Sequence, residues 1–450
     1  MTQCIAPLRA SSCRQLPLLV EFNAPEISSD AGALLLRELD EQLGLTAGLA
    51  ACLNDERDPA RTLHSRHEQT RQRVFQIALG YEDANDAGRL RHDPLLKVAC
   101  ERTPRDPVGL SSQPTLSRFE NAVSARALGR ALRHFEAAYV QALPVDQQVV
   151  ILDIDSTCDP THGQQQLSFF HGFYDTHMYH PLLVFDGESG ELISAVLRPG
   201  NTHASRGARG LLRRLIRKIR RRCPEAAIVV RGDSGFCMPR ILSELERLDQ
   251  TLDHVDFLFG MAKNSRLLGA LEPTLQQAED RFDRLGSKVA LFTTFDYAAK
   301  TWPRPRRLLG KAEVSAFGRN PRFLVTSLVD FDAETLYRAY CQRGQCELWI
   351  KDFKNALAAD RLSCSAFRAN FFRLLLHAGA YRLLHALRRA VRPISEVLGS
   401  AQFDTLRLRL LKVAGLVRQS VRRIQVQLPR AFPQAEIFRA LLAQLLPAPS

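Results

Sequence analysis

Two short runs constrain this chain more than any others. Residues 149–155 read VVILDID and residues 227–233 read AIVVRGD. Both are rich in β-branched side chains, and both close on an aspartate. Runs of this kind suit central strands covered on both faces. A chain that holds two of them calls for helices packed on a sheet, an α/β architecture. Between and after them the pattern continues. PLLVFD and ELISAVL flank Gly187-Glu188-Ser189-Gly190 and read as a hairpin. Residues 204–222 form a basic amphipathic helix. Leu211, Leu212, Leu215, Ile216 and Ile219 lie on one face and Arg213, Arg214, Arg217, Lys218, Arg220 and Arg221 on the other. A further helix is expected near 238–249, and DFLFGMA (256–262) is a further strand.

From residue 148 the order is therefore strand, strand, strand, helix, strand, helix, strand. That is the ribonuclease-H-like order, interrupted before its last helix. The interruption carries KVALFTTFDY (288–297), KAEVSAF and RFLVTSLV (322–329), whose alternation and aromatic content predict a β-rich insert. A long helix follows over 333–357. Residues 1–145 read mostly helical, broken by Pro104, Pro107 and Pro114, and residues 368–446 return to helix. The expected organisation is a helical N-terminal region (1–145) for DNA binding or dimerisation, the first part of a ribonuclease-H-like core (146–264) and a β-rich insertion (265–331). A helix completing the core (332–360) and a helical C-terminal region (361–450) follow.

Charge narrows the partner. The 450 residues carry 61 Lys+Arg against 48 Asp+Glu, a net charge of +13, which favours a polyanionic partner. No run approaches 18 uninterrupted apolar residues and the N-terminus has no clean signal pattern, so a cytoplasmic protein without a membrane span is expected. The 10 cysteines are scattered, with no CxxC pair and no Cys/His cluster at zinc spacing, and read as reduced thiols. His162, His177, His180 and His203 fit no metal motif either and read as structural or as weak phosphate contacts.

Acids at the ends of buried strands are what two-metal phosphoryl transfer requires. Carboxylates converging from separate elements can hold two divalent ions about 3.5–4 Å apart. Asp153 and Asp155 close the first strand, on the same sheet face by the period of two. Asp233 closes the fourth strand, which neighbours the first in this topology. A strand-terminal Asp also serves simply to cap a turn, so the pairing in this strand order matters more than either residue alone. On the long helix Tyr340, Arg343, Glu347 and Lys354 are spaced 3, 4 and 7. They fall within about 60° of one another on a wheel, beside an apolar stripe of Cys346, Trp349, Ile350 and Phe353. A solvated charged face would account for Glu347 and Lys354, but less well for the tyrosine.

These residues carry a resemblance. Tyr340-x2-Arg343-x3-Glu347-x6-Lys354 matches the Y-x2-R-x3-E-x6-K signature of the insertion-sequence-4-like superfamily of DDE transposases. The blocks LDIDSTCDPTHGQQ (152–165), NTHAS (201–205), VVRGDSGF (229–236), YCQRGQCELWIKDFKNAL (340–357) and FRANFFRLLLHAGAYRLL (367–384) resemble the insertion-sequence-1380-type branch. The resemblance implies that Asp155, Asp233 and Glu347 are the catalytic, metal-binding acids. Asp153 competes with Asp155, and Asp155 is preferred because the end of a buried strand lies nearest the cleft. It further implies two divalent ions, Mg²⁺ with Mn²⁺ able to substitute, and phosphate contacts from Tyr340, Arg343 and Lys354, with Lys351 near the same face.

Further DNA contacts are expected from three places. The helix 204–222 carries nine Lys/Arg between Arg206 and Arg222. Related transposases receive an unstacked base on an insert-domain tryptophan, and the resemblance implies that place for Trp302, beside Lys300, Arg304, Arg306 and Arg307. Arg118 follows a turn at Gln113-Pro114 that leads into a helix. The activity implied is cleavage at an element's terminal inverted repeats and joining to target DNA, by a homodimer on the DNA. A non-catalytic DNA-binding descendant and a structure-specific nuclease with the same core are the alternatives.

Overall fold

The computed structural model describes residues 7–446 and divides into two compact units. One comprises the chain up to Ala50, Asp55–Phe119 and everything from Ala386 on. The other comprises Ala51–Asn54 and Glu120–His385.

The second unit is built on a nine-stranded sheet. Its principal strands are β1 (Val149–Ser156), β2 (Leu182–Asp186), β3 (Leu192–Val196), β4 (Ala227–Gly232), β5 (Val255–Met261), β6 (Val289–Tyr297), β7 (Arg306–Ser315) and β8 (Arg322–Thr326). In space they run β6-β7-β8-β5-β4-β1-β2-β3, with Gly318–Arg319 paired to β7. β4 is parallel to both β1 and β5, and the remaining pairings are antiparallel. The two runs that opened the sequence reading are thus adjacent parallel strands at the centre. Val150, Leu152, Ile154, Ile228 and Val230 are all buried. Parallel strands need crossovers, and the crossovers bring helices onto the sheet.

The crossover helices are α2 (Ala208–Arg222) and α3 (Pro239–Leu252); α1 (Ala125–Ala142) precedes the sheet, and α4 (Ser265–Leu285), α5 (Ala333–Cys341), α6 (Gly344–Lys351) and α7 (Phe367–Val391), which begins in this unit, follow the parallel strands. α2 buries the leucine and isoleucine face its sequence predicts. Part of its positive charge is spent internally. Arg214 and Lys218 converge on Glu136 of α1, a carboxylate with no exposure, at 2.6 and 3.1 Å. Arg220 donates to the carbonyls of Pro224 and Asp253.

One expectation gains detail and one needs correction. The segment 265–331 carries strands, as a β-rich insertion would, together with a helix. It opens with α4, which buries Leu267, Leu271, Leu275 and Ala278, and its strands extend the main sheet outward from β5. β5 ends with an unfilled hydrogen-bonding edge, and β8 fills it, Leu258 opposite Thr326 and Gly260 opposite Leu324. What needs correction is the single long helix over 333–357. α5 and α6 are separated at Gln342-Arg343, and α6 runs into a wide π-helical turn over Asp352–Ala356. Gly344, a weak helix former, follows the break.

In the first unit helices occupy Ala33–Leu43 and Arg66–Ala78, and the helix Gln113–Asn121 begins there. It also contains a hairpin, Leu8–Cys13 with Leu16–Val20, and a small sheet of Ile27–Ser28, Gly415–Gln419 and Ile424–Gln427. Both strand groups lie in stretches that were expected to be helical or mostly helical. Four or five residues of alternation are too few to stand out from a helical pattern. The cysteines among the described residues are free thiols. Among those residues no helix is long and apolar enough to cross a membrane.

Candidate active site

Register places the acids. In the β1–β4 ladder Asp153 lies opposite Arg231, and Ile154 opposite Gly232. Asp155 and Asp233 come next on their strands, so the two carboxylates stand side by side where the parallel strands end. Side chains alternate along a strand. Asp155 and Asp233 therefore share a sheet face with Asp153 and Arg231, one layer further out.

The inner layer is closed. Arg231 grips Asp153 with both arms, Nε to Oδ1 at 2.7 Å and Nη2 to Oδ2 at 2.8 Å, and both residues are buried. Its remaining reach is used too. Nη1 donates to the carbonyl of Ala339 at 2.7 Å, and Nη2 also reaches the carbonyl of Gly187 at 3.4 Å. A side chain at Gly187 would have its Cβ 2.9 Å from Nη2, so glycine keeps that place open. Arg231 thus ties two central strands to the end of α5, at the residue before Tyr340.

The outer layer is only partly compensated. Asp155 is 8% exposed, and its Oδ2 takes a 2.6 Å contact from Nη2 of Arg343 while Oδ1 accepts the Ser156 N–H. Burial pushes the Asp155 carboxyl up to about 6. Arg343 opposes that rise, and the neighbouring Asp233 and Glu347 charges add to it. Asp233 accepts the Gly235 N–H at 2.9 Å and is half-buried.

The helical residues distribute unevenly. The Tyr340 hydroxyl lies over the end of β5, so that a Cβ on Gly260 would fall 2.6 Å from it. Burial raises the Tyr340 pKa, against Arg343 and with help from Asp233. Glu347 lies in the first turn of α6, exposed, near enough to add to the field on Asp155. Lys354 does not join Arg343. The wide turn swings it to the Cys158 carbonyl, 4.0 Å from Asp159 and 3.6 Å from Asp360. Asp159 is buried, which raises its pKa well above the usual range against the pull of Lys354. Lys351 is exposed. Trp302 packs against the core with the Arg306 guanidinium 4.8 Å over its ring and Tyr297 edge-on at 5.8 Å. Arg118 is exposed on the helix Gln113–Asn121.

Among the described residues no three His, Cys, Asp or Glu side chains are gathered closely enough to hold a metal ion together. The donor chemistry nonetheless suits a hard divalent cation, which prefers carboxylate oxygens and few of them. Two adjacent carboxylates, one held near pH 6 by burial, form a partly compensated anionic pocket. Two residues escaped the sequence reading. Arg231 announced itself only as a charge inside an apolar strand, and Gly260 only as a glycine interrupting another.

None of the curated proteins matches the chain. Among solved structures it is similar to a chain of the "piggyBac transposase synaptic complex with hairpin DNA", at 12% identity and a TM-score of 0.44, over 90% of this chain and 83% of that one. A family model described as "Transposase DDE domain group 1" matches residues 10–450. The chain belongs to that family of transposase DDE domains.

Proposed function

We propose that the chain is the transposase of a bacterial insertion sequence, of the insertion-sequence-4-like superfamily and the 1380-type branch, acting by cut-and-paste. In this reading residues 146–264 and 332–360 form a ribonuclease-H-like core into which 265–331 is inserted, flanked by 1–145 and 361–450. The spatial order β3-β2-β1-β4-β5 and its strand senses support the core assignment.

The observation that carries the reading is the outer carboxylate layer. Asp155 and Asp233 stand together on neighbouring strand ends, and Glu347 lies one helical turn past Arg343, which contacts Asp155. These three acids would hold two divalent ions, Mg²⁺ or Mn²⁺. When bound, such a pair supplies an activated oxygen nucleophile and stabilises the leaving oxygen. The bidentate hold of Arg231 on Asp153 favours Asp155 as the first ligand, because both Asp153 oxygens are already committed.

The protein's own groups orient the DNA. Arg343, now held by Asp155, exchanges that carboxylate for a phosphate oxygen, for which its fork is equally suited. The Tyr340 hydroxyl donates beside it. Lys354 and Lys351 meet the backbone further along, and Arg118 and Trp302 are further DNA contacts of this reading. Water first displaces the element's 3′-oxygen from phosphorus at each terminal inverted repeat. The freed 3′-hydroxyl then displaces a 3′-oxygen of the target strand. Two ends are cut in concert, by a homodimer on the DNA, in the cytoplasm at the nucleoid.

The test is single alanine substitution of Asp155, Asp233 and Glu347. Each variant keeps element-end binding and loses nicking in Mg²⁺ or Mn²⁺. An Asp155→Ala enzyme with full activity would hand the role to Asp153. A wild-type protein that cuts but never joins pre-cleaved ends would be a nuclease instead.

A further inference from the structure

The first unit carries a one-sided run of charge late in the chain. Residues 405–430 include seven Lys/Arg and no Asp or Glu. The strands Gly415–Gln419 and Ile424–Gln427 lie within that run. They pair as an antiparallel ribbon, Arg418 opposite Gln425 and Gln419 opposite Ile424. The turn between them is tight: the Ser420 N–H donates to the Arg423 carbonyl at 2.9 Å, and the Arg423 N–H donates to the Ser420 hydroxyl at 3.2 Å. The third strand of this small sheet, Ile27–Ser28, reaches only Gly415 and Leu416. Among the described residues the ribbon from Arg418 to Gln425 is therefore two strands wide.

The two faces of the ribbon differ. Side chains alternate along a strand, so Val417, Gln419, Ile424 and Val426 share one face, and Leu416, Arg418, Gln425 and Gln427 the other. On the first face Val417 is buried, and the Gln419 side chain accepts the Arg105 N–H at 3.0 Å, which moors the Arg105 loop to the ribbon. On the second, Arg418, Gln425 and Gln427 are exposed. Arg105, Arg418 and Arg423 line one open cleft of about 570 Å³, in which Glu26 is the one carboxylate among the described residues. Arg422 is exposed at the turn beside them. Among the described residues no carboxylate pairs with any of these four arginines. Elsewhere comparable arginines are already held, Arg214 by Glu136 at 2.6 Å and Arg319 by Glu272 and Glu279 at 2.9 and 2.5 Å. Like charges gathered without counter-charge repel one another, and a polyanion that supplies it relieves the repulsion.

We propose that this ribbon is a docking site for double-stranded DNA, with Arg105, Arg418, Arg422 and Arg423 on backbone phosphates. A two-stranded ribbon fits the major groove, where phosphates flank it on both sides. A guanidinium fork suits phosphate oxygens. An acidic protein segment would match the charge, but beyond Leu416 the outer face offers arginine and glutamine rather than the aromatic anchors of a protein interface. Phosphate contacts position a protein on DNA without reading its sequence, so the ribbon grips any duplex. It belongs to the other unit from Asp155 and Asp233. The proposal rests on the reading of the chain as a transposase.

The experiment uses the full chain in EDTA, so that no cleavage intervenes. A labelled blunt duplex of mixed sequence is titrated over a series of salt concentrations. Each phosphate contact contributes about 0.9 to the slope of log affinity against log salt. Arg418→Gln/Arg423→Gln flattens that slope by about 2 and weakens binding roughly 10- to 100-fold at about 0.1 M salt. Arg418→Lys/Arg423→Lys keeps most of the slope, because a phosphate asks chiefly for charge. A glutamine variant with the wild-type slope overturns the ribbon as a DNA site and leaves the transposase reading intact. A lysine variant as weak as the glutamine one overturns it too, since the loss would then come from local packing rather than from charge. A wild-type chain that binds the duplex at no salt concentration removes the transposase reading, and the ribbon with it.

Discussion

Two pairs of charged residues stand on the same face of the same two strands, one layer apart. Asp153 and Arg231 form the inner pair, and Asp155 and Asp233 the outer one. In the inner layer a guanidinium satisfies both carboxylate oxygens and locks two backbone carbonyls besides. In the outer layer Arg343, which comes from a different element, contacts Asp155, while Asp233 accepts a backbone N–H. Strand register alone decides which layer is structural. Had the second strand read Asp at 231 and Arg at 233, the same residues would have buried an unpaired acid pair and exposed the salt bridge. The lesson is that an aspartate in a buried strand is read by its cross-strand neighbour, not by its own sequence context.

The comparison breaks most sharply at the outer layer. Asp155→Ala or Asp233→Ala should lower strand cleavage by about 10³-fold or more, since several kcal/mol of charge stabilisation disappear with a metal ligand. For Asp155→Ala the melting temperature should change little, because the carboxylate that is removed is disfavoured by burial while Arg343 loses its partner. A variant that cuts normally, measured on labelled DNA ends, would erase the distinction between the layers.

At the inner layer the expected effect is on folding. Asp153→Ala leaves the Arg231 charge buried without its acid, which costs about 3–5 kcal/mol. The double variant Asp153→Leu/Arg231→Met should recover most of that loss, since apolar replacements of a buried pair are often neutral. Cleavage should not recover with it, because the Ala339 carbonyl loses its anchor and Tyr340 and Arg343 lose their setting. Denaturant melts and nicking rates on the same samples separate the two. Recovery of both would reduce Arg231 to packing.

A smaller effect is expected where the helix meets the sheet. Gly260→Ala puts a Cβ 2.6 Å from the Tyr340 hydroxyl. Overpacking of that kind costs roughly 1–3 kcal/mol, and here the yielding group is a ring beside Asp233. Nicking should fall about tenfold while blunt-duplex binding is unchanged. Unchanged nicking would show that Tyr340 is free to move aside.

How much of this was legible beforehand follows from the kind of signal involved. The central strands, the apolar face of α2 and the strand-end positions of Asp155 and Asp233 were readable because periodicity and run length are local. The break at Gln342-Arg343 was not, since Tyr340, Arg343, Glu347 and Lys354 satisfy a helical wheel whether or not the helix continues. That break, with the wide turn after α6, is why Lys354 reaches the Cys158 carbonyl instead of lining up behind Arg343. Trp302 stood in a basic stretch, and nothing local foretold that Arg306 would cover one face of its ring. Arg231 needed the register, which is a property of two strands 78 residues apart.

The last distinction between the layers is in their protons. Burial holds the Asp155 carboxyl at about 6, above its ordinary value of 3.8. The folded chain therefore binds this proton more tightly than the unfolded chain does. The resulting stability is fully present below about pH 4 and is lost as pH rises through about 6. Most aspartates act in the opposite sense, so the effect must be read by difference. Without metal, wild type minus Asp155→Asn should show a melting-temperature gap that changes between pH 4 and pH 7, with wild type losing ground as pH rises. Each kcal/mol corresponds to roughly 2–4 °C in a unit of this size. Added divalent cation should close the gap at pH 7, because a bound cation favours the ionised carboxylate that burial alone disfavours. A gap that is flat with pH would mean that Arg343 already compensates Asp155 in full, and that the outer layer is as closed as the inner one.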